Sequence, residues 1–546
     1  MAWRNERSLY KRKNDATGGE LISSCAPDAP FTVYDQKSWW SDSWDPLSFG
    51  KSYDFSKPFF EQFADLLRKV PLLAVANFNS VNSEYCNFAD GNKNCYLNFA
   101  SGFSENVSYS NKVQACKDSS DLSMGEKNEL CYECVSCFEC YKTRYSFNCR
   151  NCVDSYFLYN CRNCSNCFGC VNLTNKSYYI FNVPYSKEEY EKKIKEFNLA
   201  SRKNINEINE RVKQEAYLRA IHRYANVIGS TNSTGDNIRN SKNCQTCFDI
   251  YKAVEDSKFL YNALELKQSY DGIGQYQNEL AYECMDNNVG NTMVAAITVY
   301  DSTNIFYSIN CHGSNNLFGC VGMRSKNYCI LNKQYSKEEY EALIPKIIEQ
   351  INSTPYIDKK GRVYKYGEFF PIELSPYAYN ETIAQEYFPF SKNQTEERGY
   401  RWRESDGKNY VVTKEGDSLP DTISETSDSV LKEIIGCVHK AQCNEQCTMA
   451  FRITPQELDF YRRLDIPLPI LCPNCRHYQR LKQRNPLKLW HRKCMCAGAM
   501  SEKDIFKNTA QHFHGAEPCP NEFETSYSPD RQEIVYCEQC YQAEVA

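Results

Sequence analysis

The sequence predicts a mainly β protein: two duplicated β-solenoids with twelve-residue coils, helical caps and a helical linker, tandem C-terminal zinc ribbons, and a degenerate N-terminal ribbon-like segment. Three observations predict it: a long repeat, a finer period inside each copy, and paired cysteines near the C-terminus. The predicted division is 1–83 for the ribbon-like segment and N-terminal helical cap, 84–182 for the first solenoid, 183–233 for the helical linker, 234–332 for the second solenoid, 333–352 for a capping helix, 353–430 for an irregular linker and 431–546 for the tandem ribbons.

The long repeat has an offset of 150 residues. The segment DSYFLYNCRNCSNCFGC, which begins at Asp154, returns at Asn304 as NIFYSINCHGSNNLFGC, and both copies run on to YSKEEYE. Inside each copy an aromatic column recurs every twelve residues, as at Tyr270 and Tyr282, and small side chains recur at every third residue. A short fixed period with small inward side chains is typical of a narrow solenoid whose coils stack on their neighbours.

Six cysteines lie in the stretch NCRNCVDSYFLYNCRNCSNCFGC at 148–170, and their spacing suggests a row of metal sites. The repeat argues against that interpretation, because Cys140 and Cys152 correspond to Gly290 and Ser302 in the second copy. We expect these cysteines to fill the solenoid interior as small side chains. A zinc or iron–sulfur site in the first copy, and disulfides, are the alternatives.

Helices are predicted at the solenoid ends, where they would cover open coil edges. Each copy is followed by a capping box, Ser186 with Glu189 and Ser336 with Glu339. The segment SKPFFEQFADLLRKV at 56–70 places its phenylalanines on one helical face and is predicted to form the N-terminal cap.

The C-terminal cysteines have the spacing of metal ligands. The pairs CNEQC and CPNC predict one closed structural zinc site, and CMC with CEQC predicts a second. The predicted ligands of the first site are Cys443, Cys447, Cys472 and Cys475, with Cys437 as an alternative. Those of the second are Cys494, Cys496, Cys537 and Cys540, with Cys519, His512 and His514 as alternatives. The sequence therefore predicts about two structural Zn²⁺ ions per chain.

The second predicted ribbon has a degenerate counterpart at the N-terminus. RNERSLYKRKNDATG from Arg4 matches RNPLKLWHRKCMCAG from Arg484 at an offset of 480 residues, and PDAPFTVYDQKSWW later matches PDRQEIVYCEQCYQ. The four cysteine positions of the C-terminal copy are occupied here by Asn14, Ala16, Asp35 and Ser38. We interpret this segment as a ribbon that lacks metal ligands and fills its core with tryptophan, at Trp39, Trp40 and Trp44.

A basic segment, RHYQRLKQRNPLKLWHRK at 476–493, lies between the predicted zinc sites and contains no acidic residue. In a chain of net charge −5, this local excess predicts contacts with RNA or DNA phosphates and stacking on bases. The candidate nucleic-acid residues are Arg476, Arg480, Lys482, Arg484, Lys488, Trp490, Arg492 and Lys493. The alternative is a solvated face, or one that docks on an acidic surface of the protein itself.

Composition narrows the class of function. No apolar run is long enough to span a membrane and the N-terminus has no secretory signal, so we expect a cytoplasmic protein with reduced or metal-bound thiols and no membrane partner. Signatures of a P-loop or a histidine-based triad are absent from the sequence. The prediction is a non-enzymatic protein that binds nucleic acid or a ribonucleoprotein, with possible protein partners along the solenoids. The alternatives are a structural, self-assembling scaffold and, third, an enzyme acting on glycan or nucleic acid.

Three motifs carry a resemblance to known proteins: FGCVNLTNKSYYIFNVPYSKEEYE, LCPNCRHYQRLKQRNPLKLWHRKC and EIVYCEQCY. With them the chain resembles an uncharacterised cysteine-rich zinc-ribbon family of candidate-phylum bacteria. The resemblance implies a cytoplasmic origin. The twelve-residue pattern separately resembles the β-solenoids of some insect antifreeze proteins, a likeness of architecture alone.

Overall fold

The computed structural model describes residues 1–404 and 411–545. Strands hold more of these residues than helices do, which confirms the mainly β prediction. Most of the strands lie in parallel sheets that join neighbouring coils of the chain. Within the same two ranges, no helix combines the length and the apolar character needed to cross a bilayer.

The first ladder occupies residues 77–180 and pairs strands in parallel at a register of twelve residues. Ser123, for example, pairs with Asn111 on one side and with Val135 on the other. The strands are Asn77–Phe78, Asn87–Asp90, Phe99–Gly102, Glu105–Ser108, Asn111–Gln114, Lys117–Ser120, Ser123–Glu126, Val135–Phe138, Tyr141–Arg144, Val153–Tyr156, Ser165–Phe168 and Ser177–Ile180. The register equals the period read from the sequence, and the ladder begins seven residues before the predicted start.

The second ladder occupies residues 227–330, displaced by 150 residues from the first. Most pairs again lie twelve residues apart, but Lys242 pairs with Glu255, and the register shifts between Ile250 and Lys252. The strands are Val227–Ile228, Gly235–Arg239, Lys242–Gln245, Cys247–Lys252, Glu255–Lys267, Tyr270–Tyr282, Asn288–Val294, Tyr300–Phe306, Asn315–Phe318 and Asn327–Ile330. The long repeat of the sequence is thus a repeat of structure.

A regular backbone feature turns small side chains inward. From Leu130 to Glu139 every third residue has a φ angle between 51° and 56°, and each of these residues precedes a buried cysteine. Residues other than glycine pay about 1–2 kcal/mol for this left-handed conformation. Hydrogen bonds and packing between successive coils must therefore offset a cost that recurs in every coil.

Helices cover the ladders and connect them. They are Gln36–Trp40, Phe59–Lys69, Lys187–Glu196, Arg202–Val212, Lys337–Ser353, Ile383–Tyr387, Lys392–Glu397, Pro455–Leu464, Pro473–Lys482 and Glu538–Val545. Both predicted capping boxes are present, at Ser186 and Ser336. The helix Phe59–Lys69, predicted as a cap of the first solenoid, packs instead on the second ladder, where Phe59 contacts Tyr307 and Phe318.

The two ends of the chain share one order of elements: an antiparallel hairpin, a short strand and a helix. In the N-terminal ribbon (residues 10–40) these are Tyr10–Lys13, Glu20–Ser23, Val33–Tyr34 and Gln36–Trp40. In the C-terminal ribbon (residues 490–545) they are Trp490–Lys493, Glu522–Thr525, Ile534–Tyr536 and Glu538–Val545. A middle ribbon (residues 435–482) contains the strands Ile435–Gly436 and Ala450–Phe451 and the helices Pro455–Leu464 and Pro473–Lys482.

Each terminal ribbon joins both ladders. The strand Val33–Tyr34 pairs with Leu72–Leu73, just before the first ladder, while the Trp39 ring contacts His312 in the second ladder. The C-terminal ribbon does the reverse: Ile534–Tyr536 pairs with Ile221–Arg223, just before the second ladder, and Tyr541 hydrogen-bonds to Asn160 in the first. The two halves are therefore interlocked.

The predicted linker 353–430 includes residues 405–410, which lie outside the described residues; its other parts contact the rest of the protein. Tyr356–Ile357 pairs with Val363–Tyr364, and Lys414–Glu415 adds a strand to the middle ribbon. Phe370 stacks on Phe63, which ties this region to the helix Phe59–Lys69.

Candidate metal centres and the basic helix

Four cysteines meet in the middle ribbon. The sulfurs of Cys437, Cys447, Cys472 and Cys475 lie within 4.8 Å of one another. The Cys437 and Cys475 sulfurs are 3.9 Å apart, as are those of Cys447 and Cys472. Four thiolates bound tetrahedrally at the usual zinc–sulfur length are about 3.8 Å apart, so this group has the dimensions of a metal site.

Backbone donors support the same group. The Cys472 N–H donates to the Cys437 sulfur at 3.3 Å, and the Met449 N–H donates to the Cys447 sulfur at 3.4 Å. Such donors orient and stabilise metal-bound thiolates. The Cys437 thiol lowers the pKa of Cys447 to about 6, which favours the thiolate form that binds metal.

Four cysteines also meet in the C-terminal ribbon. They are Cys494, Cys519, Cys537 and Cys540, whose sulfurs lie within 4.8 Å of one another and whose side chains are buried. The Cys519 sulfur is 3.8 Å from that of Cys537 and 3.6 Å from that of Cys540. The Cys494 thiol lowers the pKa of Cys537 to about 4. This cluster, like the first, lies where a Cys-x-x-Cys pair opens a helix.

The first cluster differs from the predicted ligand set at one position, with Cys437 in place of Cys443. The Cys437 N–H donates to the Met449 carbonyl at 2.8 Å, and this hairpin register brings Cys437 to Cys447. Cys443 belongs instead to a neighbouring group with His439, Glu445 and Cys475.

The second cluster has Cys519 in place of Cys496. The Cys494 N–H donates to the Asn521 carbonyl and the Cys519 N–H donates to the Cys496 carbonyl, both at 2.9 Å. This register carries Cys519 to the cluster. Cys496 joins a further group with His512, His514 and Cys540, so both predicted histidines lie beside the site.

The cysteines of the ladders are arranged differently. The Cys131 thiol donates to the carbonyls of Glu129 and Cys140, at 3.4 and 3.5 Å, and Cys311 makes the same pair of contacts in the second ladder. Burial raises the pKa of Cys131 well above its ordinary value. Among the described residues, no ladder cysteine belongs to a group with metal-site dimensions. These thiols link neighbouring coils.

The basic segment is only partly exposed. Arg480 is 0% exposed and ion-pairs with Asp121 of the first ladder at 2.6 Å, and the buried Arg476 binds the other oxygen of Asp121 at 2.7 Å. Arg484 ion-pairs with Asp249 of the second ladder at 2.6 Å. These three predicted nucleic-acid residues therefore bind carboxylates of the protein itself, as the alternative interpretation of the segment expects.

The burial of these arginines affects their neighbours. The pKa of Glu133, also near Arg480, is raised to about 7 because desolvation outweighs the attraction of the guanidinium groups. Buried arginine–carboxylate pairs fix geometry, and breaking one partner costs several kcal/mol. The helix Pro473–Lys482 is thus a joint between the middle ribbon and the first ladder.

The remaining candidates lie at the surface or half-buried. The Lys482 side chain is 61% exposed and ion-pairs with Glu445, and the Lys493 side chain is 79% exposed and lies 3.3 Å from Glu522. Lys488 is exposed, and its ammonium sits over the Trp490 ring at 4.9 Å. The half-buried guanidinium of Arg492 donates to the Ser528 carbonyl at 3.2 Å.

A cavity occurs where each terminal ribbon meets the ladders. The one beneath the C-terminal ribbon is about 170 Å³ and is lined by Tyr159, His222 and Asn148 among others. The equivalent cavity beneath the N-terminal ribbon is about 60 Å³, with Ile309 and Leu72 in place of Tyr159 and His222. Both ring nitrogens of His222 have partners within the protein, the Tyr159 hydroxyl and the Tyr217 carbonyl.

No family model and no curated protein matches the chain. Solved structures do match, among them a provisionally assigned acetyltransferase from Desulfovibrio desulfuricans G20 with 12% sequence identity. That match covers 42% of this chain and 63% of the other, and its TM-score of 0.10 carries no argument about fold or function.

Proposed function

We propose that the chain is a non-enzymatic binding protein, in which two twelve-residue-coil β-solenoids form a scaffold that zinc ribbons clamp together. The observation that carries this proposal is the pair of four-cysteine clusters, in the middle and C-terminal ribbons. Four protein thiolates complete the tetrahedral shell of Zn²⁺ and leave no position for a catalytic water. Each cluster therefore suits a structural ion.

The parallel register supports the solenoid part of the proposal. Twelve-residue pairing recurs along both ladders, and small buried side chains line the interior of each. Arg480 binds Asp121 of the first ladder and Arg484 binds Asp249 of the second, so the middle ribbon and the loop that follows it contact both ladders. Because many unpaired cysteines are typical of a reducing compartment, we infer a cytoplasmic location.

Metal content tests the core of the proposal. The purified full chain is expected to contain at least two zinc ions, and cobalt substitution should give the absorption of tetrahedral thiolate sites. The variant Cys472→Ser should lose the middle-ribbon ion, whereas the ladder variant Cys161→Ser should keep every ion. A chain that binds no metal through its cysteines would refute the proposal.

We propose single-stranded nucleic acid or a ribonucleoprotein as the partner, on a narrower surface than the sequence predicts. The surface consists of Lys482, Lys488 and Lys493, with Trp490 among them to stack on a base. The double variant Lys488→Glu/Lys493→Glu should lower RNA affinity at low salt by on the order of tenfold, with a smaller salt slope. Lys252→Glu, an exposed lysine on the second ladder, is the control.

The buried arginines separate this proposal from its alternatives. Arg480→Met should lower stability and leave the salt slope of RNA binding unchanged, because Arg480 is inaccessible. If the parent chain binds no RNA or DNA at low salt, the nucleic-acid proposal fails and the scaffold proposal stands alone. Mass measurements that rise with concentration would then favour a self-assembling scaffold.

A further inference from the structure

A third group of ligands lies against the C-terminal cluster: Cys496, His512, His514 and Cys540, with ligand atoms within 4.8 Å of one another. We propose that the C-terminal ribbon holds a binuclear zinc site in which the Cys540 thiolate bridges two ions. One ion takes Cys494, Cys519, Cys537 and Cys540, and the other takes Cys496, His512, His514 and Cys540. This inference rests on the proposed function, since it requires that the four-cysteine cluster binds zinc.

The Nδ1 nitrogen of His512 is available to bind a metal ion. Its side chain is 1% exposed, and its Nε2 binds the buried Glu544 carboxylate at 2.9 Å. The other ring nitrogen, Nδ1, is buried without a hydrogen-bond partner. A buried polar atom with no partner is costly, and a histidine held by a carboxylate on one nitrogen presents the other to a metal. The metal supplies the missing partner.

His514 is oriented in the same manner. Its Nδ1 lies 2.6 Å from the Glu517 carbonyl, which accepts the proton and leaves Nε2 as an acceptor. That Nε2 is 3.3 Å from the Cys540 sulfur. A nitrogen and a sulfur that bind one tetrahedral zinc ion lie about 3.5 Å apart, so this pair has the separation of two zinc ligands.

The sulfur ligands of the second ion are also supported. The Asn508 amide donates to the Cys496 sulfur at 3.2 Å, and the Tyr536 hydroxyl holds that amide through its oxygen at 2.9 Å. The Cys540 sulfur lies 3.6 Å from Cys519 on one side and next to His514 on the other. It therefore belongs equally to both ligand sets.

The number of ligands requires two ions. Seven side chains make up the two sets, and a tetrahedral zinc ion uses four of them. A single ion in the all-cysteine set leaves the buried His512 nitrogen and the Cys496 thiol unused. Two ions that share one thiolate use all seven side chains. The shared ligand is Cys540, because it is the one side chain common to the two sets.

The neighbouring group in the middle ribbon does not carry the same inference. There Cys475 is shared with Cys443, His439 and Glu445. The Glu445 carboxylate, however, is already bound by Lys482 and by the Gln479 amide at 3.2 Å. Its charge is compensated without a metal.

The test compares zinc content in three forms of the full chain. The double variant His512→Ala/His514→Ala is expected to contain one zinc ion fewer than the parent. The control His491→Ala, an exposed histidine of the same ribbon, should match the parent. An unchanged zinc content in the double variant would overturn the binuclear site and leave the proposed function intact. A parent chain without thiolate-bound metal would overturn both.

A second measurement serves if the double variant does not fold. Cadmium NMR of the fully loaded parent should show scalar coupling between two cadmium resonances, which travels through the bridging Cys540 sulfur. Two uncoupled resonances from the C-terminal ribbon would show separate ions and refute the bridge.

Discussion

The two terminal ribbons have the same order of elements, yet different interactions hold them. In the C-terminal ribbon Cys537 and Cys540 flank the start of the helix and belong to the four-cysteine cluster. Asp35 and Ser38 occupy the equivalent positions in the N-terminal ribbon, where the Asp35 carboxylate accepts the Ser38 N–H at 2.6 Å. In the N-terminal ribbon a helix cap therefore occupies the positions of these two cysteines.

The residues around these positions differ in the same way. Trp39 is 0% exposed, contacts Trp40 and Trp44 edge-on, and donates its indole N–H to the Pro71 carbonyl. Its counterpart in the C-terminal ribbon is Tyr541, which forms hydrogen bonds rather than an aromatic cluster. The same order of elements therefore occurs with a four-cysteine cluster in one ribbon and with aromatic packing in the other.

Metal removal should give the largest difference between the ribbons. Structural zinc sites contribute about 10 kcal/mol or more of binding free energy, so chelation should unfold the C-terminal ribbon. We expect amide exchange to accelerate on the order of a hundredfold in residues 490–545 and to change little in 10–40. Hydrogen-exchange mass spectrometry measures both. Equal acceleration would mean that the two ribbons unfold as one unit.

Removal of the aromatic core should do the opposite. Trp39→Ala is expected to destabilise the protein by about 4 kcal/mol, because it removes a fully buried ring and leaves a cavity. Denaturant unfolding gives the loss of stability, and exchange should accelerate in residues 10–40. Zinc content should equal that of the parent; a loss of zinc would contradict the independence of the ribbons.

The regions around the cavities beneath the two terminal ribbons should contribute differently to the pH dependence of stability. Burial lowers the pKa of His222 to about 4; Glu533 opposes this shift and Arg531 adds to it. The cavity beneath the N-terminal ribbon has Leu72 at the equivalent position. Below about pH 6.5 His222 binds a proton in the unfolded chain but not in the folded protein. Stability therefore falls as the pH drops from about 6.5 to 4, by about 3 kcal/mol in total.

The variant His222→Leu has the residue found at the equivalent position beneath the N-terminal ribbon and should reduce this pH dependence. Its free energy of unfolding, measured by denaturant at several pH values, should fall less steeply between pH 6.5 and 4. The buried His312 and His477, whose pKa values are also lowered, keep part of the slope in both proteins. An unaltered slope would show that His222 does not titrate in this range.

Loss of the Asp35 helix cap should have the smallest effect on stability of these changes. Asp35→Ala removes the acceptor for the Ser38 N–H and is expected to cost about 1 kcal/mol. A melting curve measures it, with Asp42→Ala, a nearby acidic residue outside the helix, as the control. A loss of several kcal/mol would mean that Asp35 has a larger role than capping.

Patterns repeated along the chain could be predicted from the sequence, because they are local. The strand register follows the twelve-residue period, and the mainly β character follows from it. Spacing alone could not decide between Cys437 and Cys443, since the hairpin register that selects Cys437 depends on pairing with Met449. Charge alone could not reveal that Arg480 is buried, because its partner Asp121 lies 359 residues away.

The left-handed residues at every third position have a consequence for how the chain can change in length. They give each ladder a reading frame of three, because a one-residue insertion would move a left-handed angle onto an inward-facing position. The second ladder contains such an event: the coil between Lys242 and Glu255 has one residue too many, and the register shifts between Ile250 and Lys252. Insertions of three residues should disturb the backbone pattern of these coils far less than insertions of one or two residues.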